Sequence, residues 1–85
     1  MNDETAIVES SLSRKITREG TTIEVLIYRG VHEKEWTLEV VDQKGSAIVW
    51  KETFLTEQDA LNEVFQTIAS GGMSGFVRPP IQKLH

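Results

Sequence analysis

The chain has no cysteine. That excludes disulfide staples, thiolate metal sites and cysteine nucleophiles, and it points to a reducing, cytoplasmic setting. A basic excess is also missing, since 13 acidic side chains face 9 basic ones for a net charge of −4. Nucleic-acid binders usually carry a basic face, so this balance argues against one while leaving room for a local patch. No apolar stretch approaches the ~20 residues that a membrane-spanning helix needs, so no membrane role is expected. The opening residues Met1-Asn-Asp-Glu-Thr lack the basic start and apolar run of a signal peptide. Nor is there an internal repeat or a low-complexity tract.

What remains fits one domain. Eighty-five residues hold too little apolar material for a second core. A domain this small buries only roughly two thirds of its unfolded-chain surface. Residues 1–10 read as a flexible N-terminus, with only Ala6-Ile7-Val8 apolar, residues 11–71 as the domain, and residues 72–85 as a flexible tail.

Alternation starts at Leu12. Leu12 to Arg18 and Thr21 to Arg29 read as strands joined by Glu19-Gly20, where the glycine supplies the positive φ of a tight primed turn. If Arg18 faces Thr21, then Ile16 faces Ile23, Leu12 faces Ile27, and Lys15 meets Glu24 on the opposite side. Directly opposed residues share a face, so apolar meets apolar throughout.

Glu35 to Glu52 is the most informative stretch, and parity chooses its turn. A two-residue loop at Gln43-Lys44 would pair Leu38 with Val49 and strand Trp50 on the far side. A three-residue loop, Gln43-Lys44-Gly45, is a type I turn closed by a left-handed glycine bulge. It pairs Asp42 with Ser46, Val40 with Ile48 and Leu38 with Trp50, and places Glu52 opposite Trp36. Only this register gathers Trp36, Leu38, Val40, Ile48 and Trp50 on one surface. A one-residue slip would cost several kcal/mol at ~25 cal/mol per Å² of apolar area.

Gly30 to Lys34 links the two hairpins. Beyond Phe54-Leu55, Thr56-Glu-Gln-Asp59 opens a helix. Thr56 is its N-cap, and Glu57 and Asp59 favour the positive end of the dipole. Ala60, Leu61, Val64, Phe65 and Ile68 form the apolar stripe, and Gly71-Gly72 ends the helix. The expected class is α+β: a four-stranded antiparallel meander sheet followed by one amphipathic helix on one face, β-β-β-β-α. The expected core is Leu12, Ile16, Ile23, Val25, Ile27, Trp36, Leu38, Val40, Ile48, Trp50, Phe54, Leu61, Val64, Phe65 and Ile68.

The order Trp36-x-Leu38-Glu39-Val40-Val41-Asp42-x-x-Gly45, then Val49-Trp50, Phe54-x-Thr56 and Ala60-Leu61, resembles a group of small bacterial proteins of unknown function. It is also similar to the YegP-like domains, in which a strand-turn-strand unit with a glycine precedes an aromatic, a capping threonine or serine, and an alanine-containing helix. The resemblance covers roughly residues 20–70. It implies a fold and a bacterial cytoplasmic setting, and it supplies no catalytic residue.

Candidate chemistry is sparse. His32 sits in the Gly30–Lys34 loop near Glu33 and Glu35, without a third ligand at metal spacing, and reads as a solvated loop residue. His85 ends the chain and reads as terminus or tag. Glu33, Glu35, Glu39 and Glu52 lack the desolvated cleft that separates the pKa values of an acid/base pair. Gly71-Gly72-Met73-Ser74-Gly75 has neither nucleophile-elbow spacing nor the lysine and following helix of a phosphate loop. No catalytic, cofactor-binding or metal residue is named, and no small-molecule substrate is evident.

Parity puts Trp36 and Trp50 beneath the helix rather than free to stack on bases. Tyr28 projects to the other face with Leu26, Val41, Ala47 and Val49, among Lys15, Glu24, Thr37, Glu39 and Lys51. Five apolar residues on a face that no helix covers mark a partner surface: Leu26, Tyr28, Val41, Ala47 and Val49, with Lys51 beside them. The expected function is a non-enzymatic interaction module, self-associating as a homodimer or binding another protein through that face or a strand edge. In the tail, Pro79-Pro80 favours an extended conformation that could dock, and Phe76-Val77 could add to a sheet edge. The alternative is nucleic-acid binding through Arg14, Lys15, Arg18 and Arg29. The strand-strand-strand-helix part resembles the second half of a double-stranded-RNA-binding domain. Its helix opens Thr-Glu-Gln-Asp where such domains carry lysines, and the preceding helix is missing.

Overall fold

The computed structural model describes residues 6–71. It is an antiparallel sheet followed by one helix: β1 (Ile7–Glu9), β2 (Arg14–Arg18), β3 (Thr21–Gly30), β4 (Thr37–Val41), β5 (Ala47–Val49) and α1 (Glu57–Gly71). Both hairpin registers agree with the parity argument. Arg18 pairs with Thr21, Ile16 with Ile23 and Lys15 with Glu24. Val40 pairs with Ile48 and Val41 with Ala47. Glu19 and Gly20 both take positive φ, at 56° and 77°, as a primed two-residue turn requires. Gly45 stands at φ 89°, and its N–H donates to the Asp42 carbonyl at 3.0 Å, which closes the bulged reversal.

Three details differ from the sequence reading. First, Ile7–Glu9, assigned to a flexible arm, is a strand paired with Arg29, Tyr28 and Gly30 of β3. Among the described residues the sheet therefore has five strands, with β1 and β2 sharing one edge of the long β3.

Second, Leu12 does not oppose Ile27. Glu9 pairs with Tyr28 and Arg14 with Val25, so residues 10–13 stand against only Leu26 and Ile27. The backbone of Ile27 is served instead by Ser10, whose N–H donates to its carbonyl at 2.8 Å, and by the Ser13 hydroxyl, which accepts from its N–H at 2.9 Å. Leu12 still packs against the core, from the crest of the excursion.

Third, Trp36 pairs with Phe54 rather than Glu52. Residues 51–53 bow outward opposite Thr37, and Thr53 donates its hydroxyl to Glu35. Each excursion adds two residues, an even number, so side-chain alternation survives and every apolar residue returns to its face.

The helix starts as its residues dictate. Thr56 Oγ1 accepts the Asp59 N–H at 3.0 Å, and Glu57 and Asp59 occupy the first turn. The helix lies over β3 and β4, with Ala60, Leu61 and Val64 buried. Beneath it Ile23, Val25, Ile27, Leu38 and Val40 are almost fully buried, each stabilising the fold by about 1.5–3 kcal/mol. Leu12, Trp36, Ile48, Trp50, Phe54 and Ile68 pack around that centre, half-buried. Phe65, expected inside, is 38% exposed; at about 100° per residue it stands about 40° beyond Leu61 and about 140° from Ala60, at the outer flank of the apolar stripe. Among the described residues, no helix is long and apolar enough to cross a membrane. The proposed tail elements Phe76-Val77 and Pro79-Pro80, and Gly72, lie outside the described residues.

Candidate interaction surface

The face of the sheet away from the helix is built in rows across the strands. Glu9, Tyr28 and Thr37 form one row. Leu26, Glu39 and Val49 form the next, and Lys15, Glu24, Val41 and Ala47 a third. Leu26, Tyr28 and Val41 are half-buried by their neighbours, and Ala47 is exposed. Val49 is 52% exposed. The structure thus brings five of the six proposed surface residues onto one face. Lys51 is exposed but belongs to the outward excursion after β5.

Sequence reasoning missed Ile7. It pairs with Gly30 on the Tyr28 side of the sheet and is 61% exposed. Three residues carry too little periodicity to reveal a strand by themselves.

The centre of this face is polar. Tyr28 donates its hydroxyl to Glu39 Oε1 at 2.9 Å. Burial first, then the hydrogen bond to Glu39 and that carboxylate's charge, hold the Tyr28 phenol above its ordinary value of 10.0. Glu39 itself stands between Leu26 and Val49. The apolar residues therefore surround a carboxylate instead of forming one continuous greasy patch.

The four cations of the nucleic-acid alternative do not meet. Arg14 and Arg18 pair with Val25 and Thr21, on the helix side at the sheet margin, whereas Lys15 pairs with Glu24 on the open side. Arg29 shares the side of Ile27, by the same parity. Its guanidinium lies 5.0 Å over the Trp36 ring, and its Nη1 donates to the carbonyls of Gly30, Val31 and Glu33 at 3.2, 3.4 and 2.8 Å. Arg29 stitches the loop to the core. The alternation of β3 already contained that assignment.

The other candidate groups sit apart. His32, Glu33 and Glu35 are exposed, and Glu33 Oε1 accepts the Gly30 N–H at 2.9 Å. Among the described residues, no three His, Asp or Glu side chains converge to hold a metal ion. A recess of about 350 Å³ is lined by Thr21, Asp42, Gln43, Lys44 and Ser46. Its carboxylate is committed to the turn, because Asp42 Oδ1 accepts the N–H groups of Lys44 and Ser46, both at 2.9 Å.

No protein-family model matches the chain, and no curated protein or solved structure is significantly similar to it.

Proposed function

We propose that this chain is a non-enzymatic interaction module that associates with itself through the side of the sheet that α1 leaves open, by its face or by a strand edge. The setting proposed is the reducing cytoplasm, in keeping with a sequence that uses no cysteine. The observation that carries the reading is Val49. It is a β-branched apolar residue on the last strand of the sheet, 52% exposed, continuous across the strands with Glu39 and Leu26. A small domain with one helix has nothing further of its own among the described residues to cover it. Cations divided between two faces give no comparable support to nucleic-acid binding, which needs a continuous basic track.

Light scattering coupled to size exclusion tests the proposal. The expected outcome is a mass that rises from monomer toward dimer as loading concentration increases. A constant monomer mass at high micromolar concentration counts against self-association.

A further inference from the structure

We infer that the partner surface is the outer edge of β5, and that its occupant is β5 of a second copy, paired antiparallel about a two-fold axis through Ile48. The inference rests on the self-association reading and specifies its geometry.

The backbone ladder supplies the first argument. Asp42 N–H donates to the Ser46 carbonyl and Trp50 N–H to the Leu38 carbonyl, with Val40 opposite Ile48 between them. The Ser46 carbonyl and the Trp50 N–H are thus turned toward β4 and its turn, and alternation turns the backbone groups of Ile48 the same way. The N–H and C=O of Ala47 and Val49 point the other way, off the sheet.

The two edges are guarded unequally. Along β1 and β2 the edge is broken by the excursion at residues 10–13 and carries Glu9, Arg14, Lys15 and Arg18. Bulges and charges of that kind are how sheets block unwanted pairing. From Ser46 to Trp50 there is no charge, no proline and no glycine.

Why a second copy? An antiparallel edge is its own complement under a two-fold. With Ile48 on the axis, Ala47 of each copy faces Val49 of the other, and both are residues whose backbone groups are outward. Two such pairs make four N–H···O=C bonds from this three-residue strand alone. The edge is bounded by the turn at Gln43–Gly45 and the bow at residues 51–53, so it admits only a strand about as short as β5. Lys44 stands in the turn at one end of this edge and Glu52 in the bow at the other. The same two-fold brings each Lys44 toward the opposite charge on the other copy.

Glu39 decides between edge and face. Stacking two open faces would bury a carboxylate from each copy in the middle of the contact, a costly desolvation. Edge pairing leaves Glu39 in water and lengthens the row of Val41 and Ala47 into the second molecule. So short an interface lies below the roughly 1,200 Å² of a stable complex, and the association is of the weak, transient class.

Sedimentation velocity from low micromolar to millimolar protein compares the wild type with Val49→Pro and Leu26→Asp. Proline at residue 49 removes an outward N–H and no bond to β4, and circular dichroism checks that the variant is folded. A wild type that dimerises, a folded Val49→Pro that stays monomeric and a Leu26→Asp that still dimerises support the edge. A Val49→Pro that dimerises like the wild type while Leu26→Asp is monomeric overturns the edge and leaves the face. A wild type that is monomeric throughout overturns both. Should Val49→Pro fail to fold, amide exchange on the wild type decides. Protection of the Ala47 and Val49 amides increasing about tenfold with concentration supports the edge, and no change overturns it.

Discussion

The two faces of this sheet are made by the same strands, one residue apart, and they behave oppositely. On the helix side Ile23, Val25, Ile27, Leu38 and Val40 are almost wholly removed from water. On the other side Leu26, Tyr28, Val41 and Val49 alternate with Glu24 and Glu39 and keep part of their surface wet. Folding free energy is therefore concentrated on one face, while the other can accept substitutions that change association more than stability. The two excursions protect this division, because each inserts an even number of residues into its strand.

The sharpest way to break the comparison is to truncate the same side chain on both faces. Leu38→Ala should destabilise by about 2–5 kcal/mol, since it opens a cavity under α1. Leu26→Ala, on the open face, should cost about 1 kcal/mol or less. Urea unfolding of both variants measures the contrast, and similar losses would erase it.

A smaller effect tests how the covered face is closed at its margin. Ser10 is only 4% exposed. Its hydroxyl donates to Glu57 Oε1 at 2.5 Å and accepts the Leu12 N–H at 2.9 Å, tying the first excursion to the start of α1. Ser10→Ala should cost about 1–3 kcal/mol by leaving those partners without it. An unchanged denaturation midpoint would mean that the excursion is held by other contacts.

The smallest effect belongs to the open face and appears only in alkali. Tyr28 has its folded-state pKa raised above 10.0. Its contribution is fully present below that value. As pH rises past 10.0 the unfolded chain ionises first, and stability falls until the folded phenol ionises as well. Tyr28→Phe should lack this component of the alkaline loss. Parallel pH profiles for the two proteins above pH 10 would contradict the Tyr28–Glu39 pairing.

Both reversals and the face of nearly every apolar residue were legible in the sequence, for a physical reason. A period of two, interrupted by glycine at two positions that need positive φ, leaves only one register in which Trp36, Leu38, Val40, Ile48 and Trp50 share a side. Registers beyond the hairpins were not legible. The first excursion is held by Ser10 and Ser13 hydroxyls acting on the Ile27 and Leu12 backbones, interactions that leave no periodic trace. Phe54 reaches Trp36 only because residues 51–53 step out of the ladder. Phe65 belongs to the stripe by its spacing of four from Leu61, but that spacing does not tell the flank of a stripe from its centre, and the flank stays 38% exposed. Of the candidate surface, the face assignments followed from parity. The unequal guarding of the two edges required knowing that, among the described residues, β1 and β2 share one edge and β5 forms the other.

Methyl resonances in dilute protein exposed to a soluble paramagnetic agent give the most direct measurement of the central division. Strong relaxation at Leu26, Val41 and Val49, with little at Ile23, Val25, Leu38 and Val40, is the pattern predicted. Equal relaxation of the two sets, or protection of the first set in the monomer, would contradict a sheet whose buried face is the one beneath α1.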